Sequence, residues 1–290
     1  MTTGRFKYID PSSYTPDAKP WGKVDGPGTS FTLTDHERPV ENIRGQESNF
    51  TTDNSGFAIY HSAAKETEFT DDAAVRSGYY GEVEALLKEK LPGVKRVEIF
   101  DHTIRRREKA SPRQPVQQVH VDQTPKAAEV RVRRHLGADA DELLKGRYQI
   151  INVWRPIGHA ASDFPLAVID WRTTSPSDFV PVDLLYPLAN RGADDDRGRE
   201  VLPDPNSTQS TEGYETFAVA PSDRHRFYYM KDMMPEEVMF IKCFDSRSET
   251  SGGRKGLAHA TPHTAFVDPQ TPADAKGRQS IEVRCLVFYE

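Results

Sequence analysis

The segment QVHVDQTP, residues 118–125, sets His120 and Asp122 two positions apart. Val116, Val119 and Val121 give it a strand-like pattern, and Pro125 closes it. Side chains two apart on a strand share a face. The imidazole and the carboxylate are therefore presented together, as two ligands to one metal ion would be. Taken alone, the pair equally fits a strand whose polar face meets water. A third donor can come from HATPHTAF, which holds His259 and His263. His263 is favoured because it follows Pro262 and opens the strand-like run 264–267, which would fix its direction. His259 sits in the tail of a Gly/Ser-rich loop, where a histidine is ordinarily a surface residue. Further along, Arg278-Gln279-Ser280 opens the last strand. Alternation places Arg278, Ser280, Glu282 and Arg284 on one face and Gln279, Ile281, Val283 and Cys285 on the other. A guanidinium paired with a hydroxyl two residues away can grip one carboxylate, bidentately and with charge assistance.

Two imidazoles and one carboxylate leave coordination positions open, which selects Fe(II) for oxygen chemistry over a closed structural zinc site. The keto-acid end of 2-oxoglutarate fits two open positions, Arg278 and Ser280 fit its far carboxylate, and O2 is the oxidant. Three further polar residues lie in apolar strands and are candidates for substrate binding. In NVWRPI, Asn152 shares a face with Trp154, while Arg155 points the other way. Arg155 needs a partner, since a buried unpaired charge is costly. It is either a clamp on substrate or co-substrate, or one half of a salt bridge to Asp170 or Asp245. Lys242 in MFIKCF raises the same alternative. If both face the pocket, a small acid or amino-acid-derived substrate is favoured.

These residues need a scaffold. The 290 residues carry 21 Pro, 19 Gly and 36% apolar side chains, a composition that points to strands and turns rather than a helical bundle. The chain is expected to be a single domain, 1–290, with an extended, turn-rich N-terminal arm over 1–50 and a core over 95–290 that carries inserted loops. Residues 48–62 read as a hairpin around Asn54-Ser55-Gly56. Val83, Leu86, Leu87 and Leu91 predict a helix within 78–94, ended by Pro92-Gly93. A second helix begins at Thr124-Pro125 and ends at Gly137. Strands are expected near 95–107, 148–157, 164–173, 214–220, 226–231, 238–244 and 278–290, with a long polar loop over 187–215. The Arg105–Arg107 and Arg131–Arg134 runs read as a solvated strand end and a solvated helix face. Strands of this length between turns predict a mainly β two-sheet sandwich or barrel with flanking helices. A net charge of -6 with no long basic block excludes nucleic acid as an expected partner. No apolar run reaches the length of a membrane span. Two cysteines, Cys243 and Cys285, and an N-terminus with no apolar core segment predict a reducing, cytoplasmic setting.

In the blocks HVDQTP, NVWRPI, PLAVID, MFIKCFDS, PHTAFVDP and RQSIEVRCLVFY, and in their order, the chain resembles the Fe(II)/2-oxoglutarate-dependent oxygenases. Within them it is similar to the group containing the AsaB-type hydroxylase/desaturases, the fungal gibberellin desaturase and the CmcJ-like proteins of cephalosporin methoxylation. The resemblance covers about two-thirds of the chain, roughly residues 95–290. It implies a double-stranded β-helix (jelly-roll, cupin-like) core. It also implies iron at His120, Asp122 and His263, and co-substrate at Arg278 and Ser280. The implied reaction oxidises a C–H bond of a small secondary metabolite by hydroxylation, desaturation or ring closure. Two other readings compete: a metal-dependent hydrolase that uses no 2-oxoglutarate, and a CmcJ-like non-catalytic partner of another oxygenase.

Overall fold

The computed structural model describes residues 1–15, 17–23, 28–107, 115–185 and 215–289. Among these, strands form two sheets. The larger runs, edge to edge, β1 (Thr2–Ile9), β3 (Leu33–Asn42), β11 (Phe227–Tyr229), β8 (Leu166–Ile169), β13 (His263–Ala265), β6 (His120–Val121), β10 (Glu215–Val219), β9 (Phe179–Leu185) and β2 (Trp21–Lys23). The smaller runs β4 (Phe57–His61), β12 (Glu237–Asp245), β7 (Tyr148–Pro156), β14 (Gln279–Phe288) and β5 (Arg96–Arg106). With helices packed outside, this is the expected mainly β double-stranded β-helix.

The smaller sheet shows why the sequence reads as it does. β7 is buried along its whole length because β12 and β14 flank it and both its faces are covered. Such a strand carries a continuous apolar run rather than an alternation. Ile151 and Val153 face outward to the helix α2 (Tyr80–Lys90), where Val83, Leu86, Leu87 and Leu91 cover them together with Ile281, Val283 and Cys285 of β14. A short α1 (Asp72–Ala74) and a π turn (Val75–Tyr79) lead into α2. Past its end, Gly93 takes a φ of 88°, a conformation that glycine adopts without strain.

α3 (Pro125–Leu136) follows the His120–Asp122 segment directly. Its cap is the one the sequence predicts: Thr124 Oγ1 accepts from Ala127 N at 3.1 Å, Pro125 fills the first turn and Gly137 ends the helix. Thr124 Oγ1 also donates to Glu215 Oε2 at 2.7 Å. Ala128, Val132 and Leu136 pack with Phe100, Val121 and Leu286. The short α4 (Ala140–Leu143) completes this corner. The backbone leaving Asp122 is thus anchored within one turn.

Other expectations change. Residues 1–50 read as a wrapping arm with room for short strands, and they supply β1, β2 and the long β3 to the larger sheet. Phe6 and Tyr8, alternating with Arg5 and Lys7, give β1 its buried face against Phe227 and Phe266. The predicted hairpin at 48–62 is absent. Thr51 and Asn54 close a side-chain-bonded turn, and β4 pairs with β12 instead. β9 was not anticipated, because Pro181 interrupts its pattern. Of the expected loop at 187–215, only Glu215 lies within the described residues, and it opens β10.

Candidate active site

β6 and β13 are neighbours in the larger sheet, with His120 directly opposite His263. Their rings lie 4.5 Å apart between centroids. Asp122 sits one residue beyond the end of β6, and its Oδ1 is 3.4 Å from His120 Nε2 and 3.9 Å from His263 Nε2. The three donor atoms lie within 4.8 Å of one another.

Hydrogen bonds fix which atom each residue offers. His120 Nδ1 donates to Gln118 O at 2.8 Å and His263 Nδ1 to Thr261 O at 3.0 Å. A carbonyl accepts only, so each ring carries a proton on Nδ1 and turns its Nε2 toward Asp122. Burial works against a charged Asp122, but Arg284, then His120, hold its carboxyl well below the usual range. It is a carboxylate at neutral pH, and metal binding needs that form. Burial opposes a charged His120, but Asp122 pushes its imidazole up, while burial pushes His263 down. Once Nε2 of each ring is free of its proton, two imidazoles and one anionic oxygen fit a divalent ion of the Fe(II) type.

A cleft partly open to solvent lies beside this group. Arg278, Ser280, Glu282 and Arg284 reach it from β14 and its start, and Thr103 and Arg105 from β5. Val116, Trp154, Leu166 and Ala265 supply apolar wall. β14 alternates as the sequence predicts, with Ile281, Val283 and Cys285 turned to the helix-covered core. Arg278 is only 3% exposed. One of its terminal nitrogens donates to Phe164 O at 2.6 Å, while its buried Nε has no partner among the described residues. Burial, then the nearby Arg105 charge, pull its pKa down to about 9. It remains a cation at neutral pH, and among the described residues no carboxylate forms an ion pair with it. Ser280, two residues on, faces the same cleft. The donor set and this orphaned guanidinium fit a metal and a small dicarboxylate side by side.

His259 stands apart from the cluster. Its Nδ1 hydrogen-bonds with Ser248 Oγ at 2.8 Å, its ring lies edge-on to Phe244 at 5.4 Å, and burial pushes its pKa down to about 4.

Of the three residues expected at the substrate, Arg155 and Lys242 turn away from the cleft and Asn152 turns to the donor set. Arg155 turns to the helix side, where it donates to Tyr79 Oη at 3.0 Å, to Pro235 O at 2.7 Å and to Ser62 O. Its charge is met by carbonyl and phenol oxygens, and neither Asp170 nor Asp245 is its partner. Lys242 pairs with Asp245 at 2.7 Å and Asp53 at 3.1 Å. Asp245 is held down to about 2, with Lys242 and Arg147 outweighing its burial. Asn152 approaches the site but turns its amide to Asp122, Nδ2 to Oδ2 at 2.8 Å. Lys242→Ala is accordingly expected to destabilise the fold by about 3–5 kcal/mol, since it leaves buried Asp245 with one cation fewer. Thermal unfolding should show the loss, with the requirement for 2-oxoglutarate unchanged in the folded fraction. A changed requirement at unaltered stability would put Lys242 back at the site.

Reading the sequence missed Thr103 and Arg105. Their alternation with half-buried Ile104, which packs on the helix side, was available, but the basic run 105–107 masked it as a solvated end. Arg284 was placed on the correct face and given no task.

A family model described as an oxidoreductase/YMDC permease-like domain matches residues 6–288. The hydroxylase/desaturase efuI of Hormonema carpetanum is 32% identical over 271 residues, 87% of this chain and 83% of that protein. The Fe(II)/2-oxoglutarate-dependent dioxygenase nvfI of Aspergillus novofumigatus is 30% identical over 97% of this chain and 94% of its own length. Among solved structures, the iron and α-ketoglutarate-dependent endoperoxidase NvfI superposes with a TM-score of 0.79 at 27% identity, covering 99% of this chain and 98% of that one. Among the described residues no helix is long and apolar enough to cross a membrane.

Proposed function

Given that the chain belongs to this oxidoreductase family, with its hydroxylase/desaturases and Fe(II)/2-oxoglutarate-dependent dioxygenases, we propose that His120, Asp122 and His263 hold the iron and that Arg278 and Ser280 bind the co-substrate. The enzyme is an Fe(II)/2-oxoglutarate-dependent oxygenase of small-molecule metabolism, using Fe(II), 2-oxoglutarate and O2. The observation that carries the residue assignment is the convergence, in one cleft, of two imidazoles, one carboxylate and a buried guanidinium that no carboxylate pairs with among the described residues.

When bound, the iron supplies oxidation of an unactivated C–H bond, coupled to conversion of 2-oxoglutarate and O2 to succinate and CO2. The residues of the chain do the rest. Arg278 and Ser280 anchor the far carboxylate and so aim the keto-acid end at the donor set. His120 and His263 keep their Nδ1 protons on backbone carbonyls and offer Nε2. Val116, Leu166, Trp154 and Ala265 form the apolar wall against which a substrate carbon skeleton can lie, which orients it and limits water near the reacting carbon. With Arg155 and Lys242 outside the cleft, nothing from them favours an acidic substrate. We therefore assign a largely apolar small molecule, oxidised by hydroxylation, desaturation or a related step. The chain acts as a single oxygenase domain, a reading supported by the family match over residues 6–288. Two buried free thiols, Cys243 and Cys285, support a reducing compartment. A hydrolase has no use for Arg278 as placed, and a non-catalytic partner has none for the intact donor set.

Anaerobic addition of Fe(II) and then 2-oxoglutarate to metal-free protein tests the assignment. A weak visible absorption band that requires both, and is absent in His120→Ala, is the expected result. Iron binding without the band would remove Arg278 and Ser280 from the co-substrate site. No iron binding would remove the metal assignment.

A further inference from the structure

The fold treats the two oxygens of Asp122 differently. Oδ1 faces His120 and His263. Oδ2 accepts from Asn152 Nδ2 at 2.8 Å and from Arg284 Nε at 3.1 Å. Arg284 is in turn fixed by Glu282 Oε1 at 2.6 Å, Asp101 Oδ2 at 3.1 Å and Thr103 Oγ1 at 2.9 Å. We propose that Asn152 and Arg284 are positioning residues that hold Asp122 as a one-oxygen ligand and thereby set the affinity and coordination geometry of the metal site. The inference rests on the metal-centre assignment above and extends it to residues two shells of bonding away.

A carboxylate free to rotate can bind a metal through one oxygen or through both. Binding through both would use an extra coordination position that the co-substrate needs. Here, drawing Oδ2 toward the metal would strip buried Asn152 Nδ2 and Arg284 Nε of their acceptor, leaving two unsatisfied donors. Asn152 bears on the same point. It is fully buried, and its Oδ1 has no partner among the described residues. The amide is oriented for Asp122 at the expense of its own oxygen, and a buried unpaired polar atom of that kind calls for a reason. Charge agrees. Asp101, Asp122 and Glu282 surround one guanidinium, so the group carries an excess of negative charge that suits a divalent cation.

Cobalt(II), titrated into metal-free protein and followed by its visible bands, is the probe, since those bands report coordination number and geometry. Four proteins are compared: the native chain, His120→Ala, Asn152→Leu, and the double variant Arg284→Gln/Glu282→Gln, which removes one charge of each sign. Asn152→Leu and the double variant are expected to bind cobalt about 10- to 100-fold more weakly, with shifted bands. Should one of them fail to fold, the other decides. If His120→Ala loses cobalt while both variants bind within about twofold of the native chain and keep its bands, the positioning role is overturned and the metal centre stands. If His120→Ala binds cobalt as the native chain does, the metal centre itself falls, and this inference with it.

Discussion

His263→Ala is expected to remove iron binding and turnover, whereas His259→Ala is expected to retain both. The two residues are four apart in one segment, and the sequence offers either as the third ligand. Their settings differ in kind. His263 is paired in register with His120 across β6 and β13, and its Nε2 is 3.9 Å from Asp122. His259 is held by Ser248 and packed on Phe244. Loss of His263 deletes a ligand, and the fall in iron affinity should exceed the ~10- to 100-fold typical of substitutions in the supporting shell. Loss of His259 removes a buried hydrogen bond and ring packing, a cost of about 1–3 kcal/mol in stability. Anaerobic Fe(II) titration, succinate formation and thermal unfolding on both variants separate the cases. Iron retained by His263→Ala and lost by His259→Ala would reverse the assignment.

Arg278→Ala is expected to raise the 2-oxoglutarate concentration needed for half-maximal rate by roughly 10- to 100-fold, the equivalent of the ~1.5–3 kcal/mol carried by hydrogen bonds to a charged group. Iron affinity should not change, because Arg278 belongs to the anchoring end of the cleft. The rate at saturating co-substrate should fall far less than the affinity. Arg278→Lys should recover only part of the loss, since a point charge cannot reproduce the planar fork. A half-saturation value within about threefold of the native one would place the far carboxylate elsewhere, with Arg105 the nearest alternative cation.

How much of this was legible in the sequence follows from the range of the interaction involved. β14, β7, α2 and α3 announce themselves through period and caps, because those signals are local. His120, Asp122, Arg278 and Ser280 were visible for the same reason: each pair is two apart on an extended segment. The choice between His259 and His263 was a matter of strand register, which a sequence only hints at. The partners of Arg155, Lys242 and Asn152 were illegible for one shared cause. A polar residue in an apolar strand must have a partner, but the sequence does not say which. Arg155 found carbonyls and Tyr79, Lys242 found Asp245, and Asn152 found Asp122. β1 to β3 were read as an arm because turns between them drowned a clear two-residue alternation.

The pairing of β6 with β13 also bears on how the protein comes to exist. It joins residues about 140 positions apart, and contacts of such separation form late, after the entropy of closing a long loop has been met. Until that closure, the chain displays His120 and Asp122 without His263, a pair of donors too few to retain iron. Pairing of β6 with β13 and the acquisition of metal competence would then be a single event in folding, and iron added to refolding chains would report when that pairing has formed.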